Sequence, residues 1–86
     1  MMIKTKGRNL IGKIVVSEET GRKFGVVGDV SFVSESGELL HIVLNNITEA
    51  AQHLKLELDE SGRVIIPFST VKSIGDFVII SEKEIL

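Results

Sequence analysis

His41 and His53 are the only imidazoles in the chain, and each needs acidic or imidazole neighbours at ligand spacing before it could hold a metal or move a proton. His53 has Glu49 four residues before it and Glu57 four residues after, a set that could touch a divalent ion and that a solvated helix face produces far more often. His41 has no acid and no second histidine two residues away on either side. Residues 7–13, GRNLIGK, match the first seven positions of a phosphate-binding loop, but Ile14 stands where a hydroxyl must hold Mg²⁺. That segment also leads into strand-like sequence, whereas phosphate binding needs the N-terminus of a helix. Gly21, Gly25 and Gly28 precede no helix either, so a turn and close strand crossings explain them better than a dinucleotide. Serines are plentiful, yet none lies in a Gly-x-Ser-x-Gly elbow. Glu18, Glu19, Glu35, Asp59 and Glu60 sit in polar turn clusters where water solvates them, so no carboxylate pair is set up for acid–base work. With no cysteine, thiolate ligands, disulfides and cysteine nucleophiles are excluded. These residues predict a protein with no catalytic residue, no cofactor and no metal.

Charge divides unevenly along the chain. The formal net charge is −2, which argues against general nucleic-acid binding. Residues 1–23 carry six bases against two acids, and residues 24–86 carry four bases against ten acids. A basic N-terminal arm that touches RNA is one reading of this asymmetry, and charges along exposed strand edges are the commoner one. Readers of single-stranded RNA stack bases on exposed aromatics, and Phe24, Phe32, Phe68 and Phe77 all fall at positions assigned to the core. No run approaches the roughly 18 apolar residues of a membrane-spanning helix. The opening MMIKTKGRN lacks the apolar stretch of a signal peptide, so the expected location is the cytoplasm, with no membrane span.

The elements that must carry these residues are strands. Residues 21–33, GRKFGVVGDVSFV, hold the longest alternation, with Phe24, Val26, Val30 and Phe32 at period two and Gly28 as the place of a bend. Residues 12–17 form a strand before it, with Ile14 and Val16 on one face and Lys13 and Val15 on the other, and a turn over residues 18–21 joins the two. A second turn at residues 34–37 leads to a strand over residues 38–45, with Leu40, Ile42 and Leu44 on one face and Leu39, His41 and Val43 on the other. Ile47, Ala50, Ala51 and Leu54 stand at helical spacing behind Thr48, which predicts a helix of about two turns. A third hairpin spans Leu54, Leu56 and Leu58, a turn at residues 59–62, and Val64, Ile65 and Ile66 up to Pro67, which cannot donate to the ladder. Residues 68–74 are expected to be one irregular or 3-10 turn with Phe68, Val71 and Ile74 inward, followed by a strand over residues 77–81 and a short tail.

A chain of 86 residues makes one domain, and folding removes only about 60–65% of the unfolded surface of a chain this short. Because residues 38–45 are apolar on both faces, a single small barrel leaves one apolar face to be covered by something else. The members of that second face are expected to be Val15, Val27, Leu39, His41, Val43, Ile65 and Val78, and a homodimer or another protein partner is the expected cover, with a helix and the N-terminal segment as the alternative.

Three segments in order carry a resemblance. Leu10-Ile11-Gly12-Lys13-Ile14-Val15-Val16, then residues 21–30, GRKFGVVGDV, then residues 65–80, IIPFSTVKSIGDFVII, resemble the PRC-barrel family over roughly residues 10–82. That family's pattern reads L-I-G-K-x-V, G-x-x-[LIF]-G-x-V-x-D-V and I-P-F-x-x-V-x-x-I-G-D-x-V-I-[IL]. Gly28 departs from the usual Lys or Glu before Asp29 and implies a sharper bend. The resemblance implies a mainly β chain folded as a small, partly open antiparallel barrel of about six strands with one short helix or 3-10 turn. Similar domains occur in the photosynthetic reaction-centre H subunit, in a ribosome maturation factor, and as small stand-alone proteins, many archaeal, some of them similar to cell-division adaptors. Those relatives bind proteins and catalyse nothing. The expectation for this chain is therefore a non-catalytic interaction module or scaffold, an archaeal-type cell-division or assembly adaptor in its most concrete form, with a ribosome-assembly or RNA-processing accessory as the alternative.

Overall fold

The computed structural model describes residues 9–33 and 35–85; the basic lead expected before Leu10 lies mostly outside them. Seven strands follow one another along the chain: β1 (Ile14–Ser17), β2 (Lys23–Phe32), β3 (Leu39–Asn45), β4 (Glu57–Leu58), β5 (Val64–Pro67), β6 (Val71–Ile74) and β7 (Phe77–Ile80). One helix, α1 (Glu49–Gln52), lies between β3 and β4. The sheet runs in the order β4-β5-β3-β2-β1-β7-β6, so its two edges do not meet and the barrel stays partly open. It is mixed, whereas the expectation was antiparallel throughout. β1 and β7, from opposite ends of the chain, pair in parallel with Ile14 opposite Phe77 and Ser17 opposite Ile80. The strand beyond the expected six is β6. Phe68–Thr70 does form a 3-10 turn, with the Thr70 hydroxyl donating to the Pro67 carbonyl at 2.8 Å, and the chain then extends again. Phe68, Val71 and Ile74 pack against the core as anticipated.

Leu10, Val15, Phe24, Val27, Ile42, Leu44, Ala51, Ile66, Val78 and Ile80 form one buried cluster, to which β1, β2, β3, β5, β7 and α1 all contribute. Burying one such Val, Leu, Ile or Phe side chain contributes about 1.5–3 kcal/mol, so this cluster is the main source of stability in a chain without disulfides. The phase of β1 is the reverse of the one expected: Val15 and Ser17 face inward, and Ile14 and Val16 are half-buried.

Bulges decide which residues of β2 and β3 reach the core. Opposite β1 the register steps from Gly25 to Lys23 and skips Phe24, and opposite β3 it steps from Val27 to Asp29 and skips Gly28. Each extra residue reverses the alternation, so Phe24, Val27 and Val30 turn inward at intervals of three. Val26 is left half-buried and Phe32 is 45% exposed. In β3 the register steps from His41 to Leu39 and skips Leu40, which returns Leu39 to the core side and leaves Leu40 51% exposed. Gly28 is therefore the bend anticipated in the sequence.

Helix α1 is a single turn. Thr48 is its N-cap, accepting from the Ala51 N–H at 3.3 Å while its hydroxyl donates to the Lys23 carbonyl at 2.5 Å. At the opposite end Glu19 accepts from the Ser81 hydroxyl at 2.9 Å and the Glu82 N–H at 2.7 Å, which ties the turn after β1 to the end of β7. Ser17, Thr70 and Ser81 are the buried polar residues, and among the described residues no buried side-chain nitrogen or oxygen lacks a hydrogen-bond partner.

Candidate protein-interaction surface

The hairpin β2–β3 ends in a turn closed by two backbone hydrogen bonds, Val33 N–H to Glu38 carbonyl and Gly37 N–H to Val33 carbonyl, both 2.8 Å. Three large apolar residues are left in the open at this end: Phe32, Val33 at 37% exposure, and Leu40. Beside them an open groove of about 420 Å³ is lined by Ser31, His41, Leu58, Asp59, Glu60, Ser61 and Arg63. Ser31 and His41 face each other across β2 and β3, and the remainder come from the β4–β5 hairpin. Leu58 is 62% exposed because β4 is a two-residue edge strand with β5 as its one neighbour.

One side of the groove is held by ion pairs. Asp59 organises the β4–β5 turn by accepting from the Ser61 and Arg63 N–H groups at 2.9 and 2.8 Å. Its other oxygen meets the Arg63 Nε at 2.7 Å. The Arg63 Nη1 reaches on to Asp29 on β2 at 3.2 Å. That reach spans β3, where Val43 stands in register between Asp29 and Ile65 and is 2% exposed without belonging to the core cluster. The backbone N–H and the guanidinium of Arg63 hold the Asp59 carboxyl below the usual carboxylate range, and the hydrogen bonds that the Arg63 guanidinium donates to Asp59 and then to Asp29 raise its own pKa.

Of the seven residues assigned to a second apolar face, four lie inside the chain. Val15 at 0%, Val27 at 1%, Val43 at 2% and Val78 at 1% exposure cannot meet a partner of the folded monomer. The bulges in β2 and the inward phase of β1 and β7 place Val15, Val27 and Val78 in the core, and Arg63 and its turn lie over Val43. Leu39, His41 and Ile65 are half-buried, and of these His41 lines the groove. Phe32 and Phe77 were assigned to the core and are 45% and 44% exposed, and Leu40, on the row of Ile42 and Leu44, is exposed where they are buried. A doubly apolar strand with a skipped residue was the one signal in the sequence that could have pointed to Leu40, and nothing local marks where the skip falls. Among the described residues no three His, Cys, Asp or Glu side chains converge as metal ligands, and no helix is long and apolar enough to cross a membrane.

The family model described as PRC-barrel domain matches residues 2–86. The chain belongs to the PRC-barrel domain family. No curated protein is similar enough to match it. PRC-barrel domains are small non-catalytic modules that mediate protein interactions. This PRC-barrel offers exposed side chains and an open groove, with Arg63 ion-paired to Asp59 within its own turn and to Asp29 across the sheet.

Proposed function

We propose that this PRC-barrel is a non-catalytic protein-interaction module that docks its partner on the β2–β3 hairpin end and the adjoining groove. The observation that carries the reading is that Phe32, Val33 and Leu40 stand exposed at the hairpin end and Leu58 lines the groove that Ser31 and His41 join to it, while Ile11 and Phe77 are the other large apolar residues left open among the described residues. Exposed apolar side chains grouped at one end of a small protein mark a surface that another molecule covers. An adaptor or scaffold in an assembly such as a division apparatus is the finer form of this proposal, and it rests on the family resemblance alone. A second copy of the chain is one partner that the reading admits. The RNA-accessory alternative is disfavoured at this end of the molecule, because Phe32 lies among carboxylates that repel phosphate.

Photo-cross-linking tests the reading. A photoreactive residue placed at Leu40 or Phe32 should give adducts of discrete mass in cells that make this protein, and the same residue at exposed Gln52 on α1 should give none. Equal labelling from all three positions, or none from any, would count against the docking face.

A further inference from the structure

We propose that the groove and hairpin end bind a linear segment of a partner protein in which a bulky apolar residue is flanked by lysines or arginines. This rests on the reading of the chain as an interaction module and adds the chemistry of the partner. Residues 29–33, 35–41 and 57–63, which carry the hairpin end and the groove, hold six carboxylates and one guanidinium in a chain whose net charge is only −2. The one cation, Arg63, is already bonded to Asp29 and Asp59. Glu35, Glu38, Glu57 and Glu60 are exposed and form no ion pair among the described residues. The apolar anchors Phe32, Leu40 and Leu58 thus share their segments with four carboxylates that form no ion pair among the described residues, and the open groove of about 420 Å³ has room for one bulky side chain.

Charge then selects the occupant. A second copy docking through the same patch would bring these four unpaired carboxylates up against the same four of its partner, an arrangement that like-charge repulsion disfavours. A phosphate backbone or an anionic lipid surface meets the same repulsion. A cationic segment gains attraction to the rim; its apolar side chain removes Leu58 from water in the groove, and the alkyl stem of a flanking lysine or arginine covers Leu40 further along β3.

The test uses the full chain as bait for a display library of random peptides of about a dozen residues, with the selected peptides then titrated against variants. The expected pool is rich in Lys and Arg around Leu, Ile, Phe or Met. Its affinity should fall about tenfold in Leu40→Ser with Leu58→Ser, fall similarly in Glu38→Lys with Glu60→Lys, and weaken as salt rises. All four positions are exposed, so each variant should melt with the parent chain. An acidic or uncharged pool whose binding needs Leu40 and Leu58 would overturn the partner chemistry and leave the interaction-module reading intact. So would a salt-resistant homodimer that the leucine variant dissociates. A basic pool indifferent to the leucine variant would overturn the site. No selected peptide, no self-association and no adduct from Leu40 would bring down the proposal and the interaction reading together.

Discussion

Gly25 and Gly28 both lie where β2 crosses the end of β3, yet they are constrained by different atoms. A Cβ on Gly25 would stand 2.5 Å from the Asn45 carbonyl oxygen and 2.9 Å from the Leu44 Cγ, so backbone must move to admit it. The nearest atoms to a Cβ on Gly28 would all belong to the Asn45 side-chain amide, the closest at 2.1 Å, and that amide can rotate out of the way. Gly25→Ala is therefore expected to cost about 1–3 kcal/mol in denaturant unfolding, and Gly28→Ala less. Asn45→Ala should abolish the Gly28→Ala loss and leave the Gly25→Ala loss in place, a coupling that a double-mutant cycle reads directly. Glu19 carries the pH prediction. Desolvation pushes its carboxyl upward, but hydrogen bonds from the Glu82 N–H and the Ser81 hydroxyl outweigh it, and the group titrates below the ordinary range. A depressed folded-state value gives stability that is present above the unfolded value and is lost as pH falls through the folded one. Thermal melts should accordingly show a loss of stability on acidification below the ordinary glutamate range, and Glu19→Gln should lower the neutral-pH melting temperature and shrink that acid-dependent loss.

At the scale of elements, turns and strands were legible and their phases were not. Gly21, Gly37 and Gly62 take positive φ of 71°, 74° and 82° in the turns that their polar clusters announced, and Thr48 caps the helix that its spacing predicted. Thr48→Ala should lose about 1 kcal/mol, because the cap on Ala51 and the tie to Lys23 go together. Alternation fails in β2 because Phe24 and Gly28 are extra residues, so the simple period-two row of Phe24, Val26, Val30 and Phe32 is broken into inward residues at 24, 27 and 30. The parallel pairing of β1 with β7 joins segments some sixty residues apart, and a reading of neighbouring hairpins has no access to it. Part of the candidate site was visible for the same reason that part was missed. His41 belongs to a face of a doubly apolar strand that the sequence marks, whereas Leu40 and Leu58 are exposed by a bulge and by a truncated edge strand, both set by tertiary pairing.

For the whole molecule, the exposed and buried apolar residues should separate cleanly in their effects. Val15→Ala and Val78→Ala should each cost about 2 kcal/mol, whereas Leu40→Ser and Leu58→Ser should stay within about 0.5 kcal/mol of the parent. Val43→Glu should destabilise the chain, because position 43 is 2% exposed and has no room for a solvated carboxylate, so a failure to fold would say nothing about a partner. The central claim is that one end of this PRC-barrel, and not its buried second face, is where another protein sits. Amide hydrogen exchange on the chain alone and saturated with the protein that cross-links at Leu40 measures this directly. The account predicts added protection confined to residues 31–41 and 57–63. Protection centred instead on Ile11 and Phe77, or along the β6 edge, would contradict it.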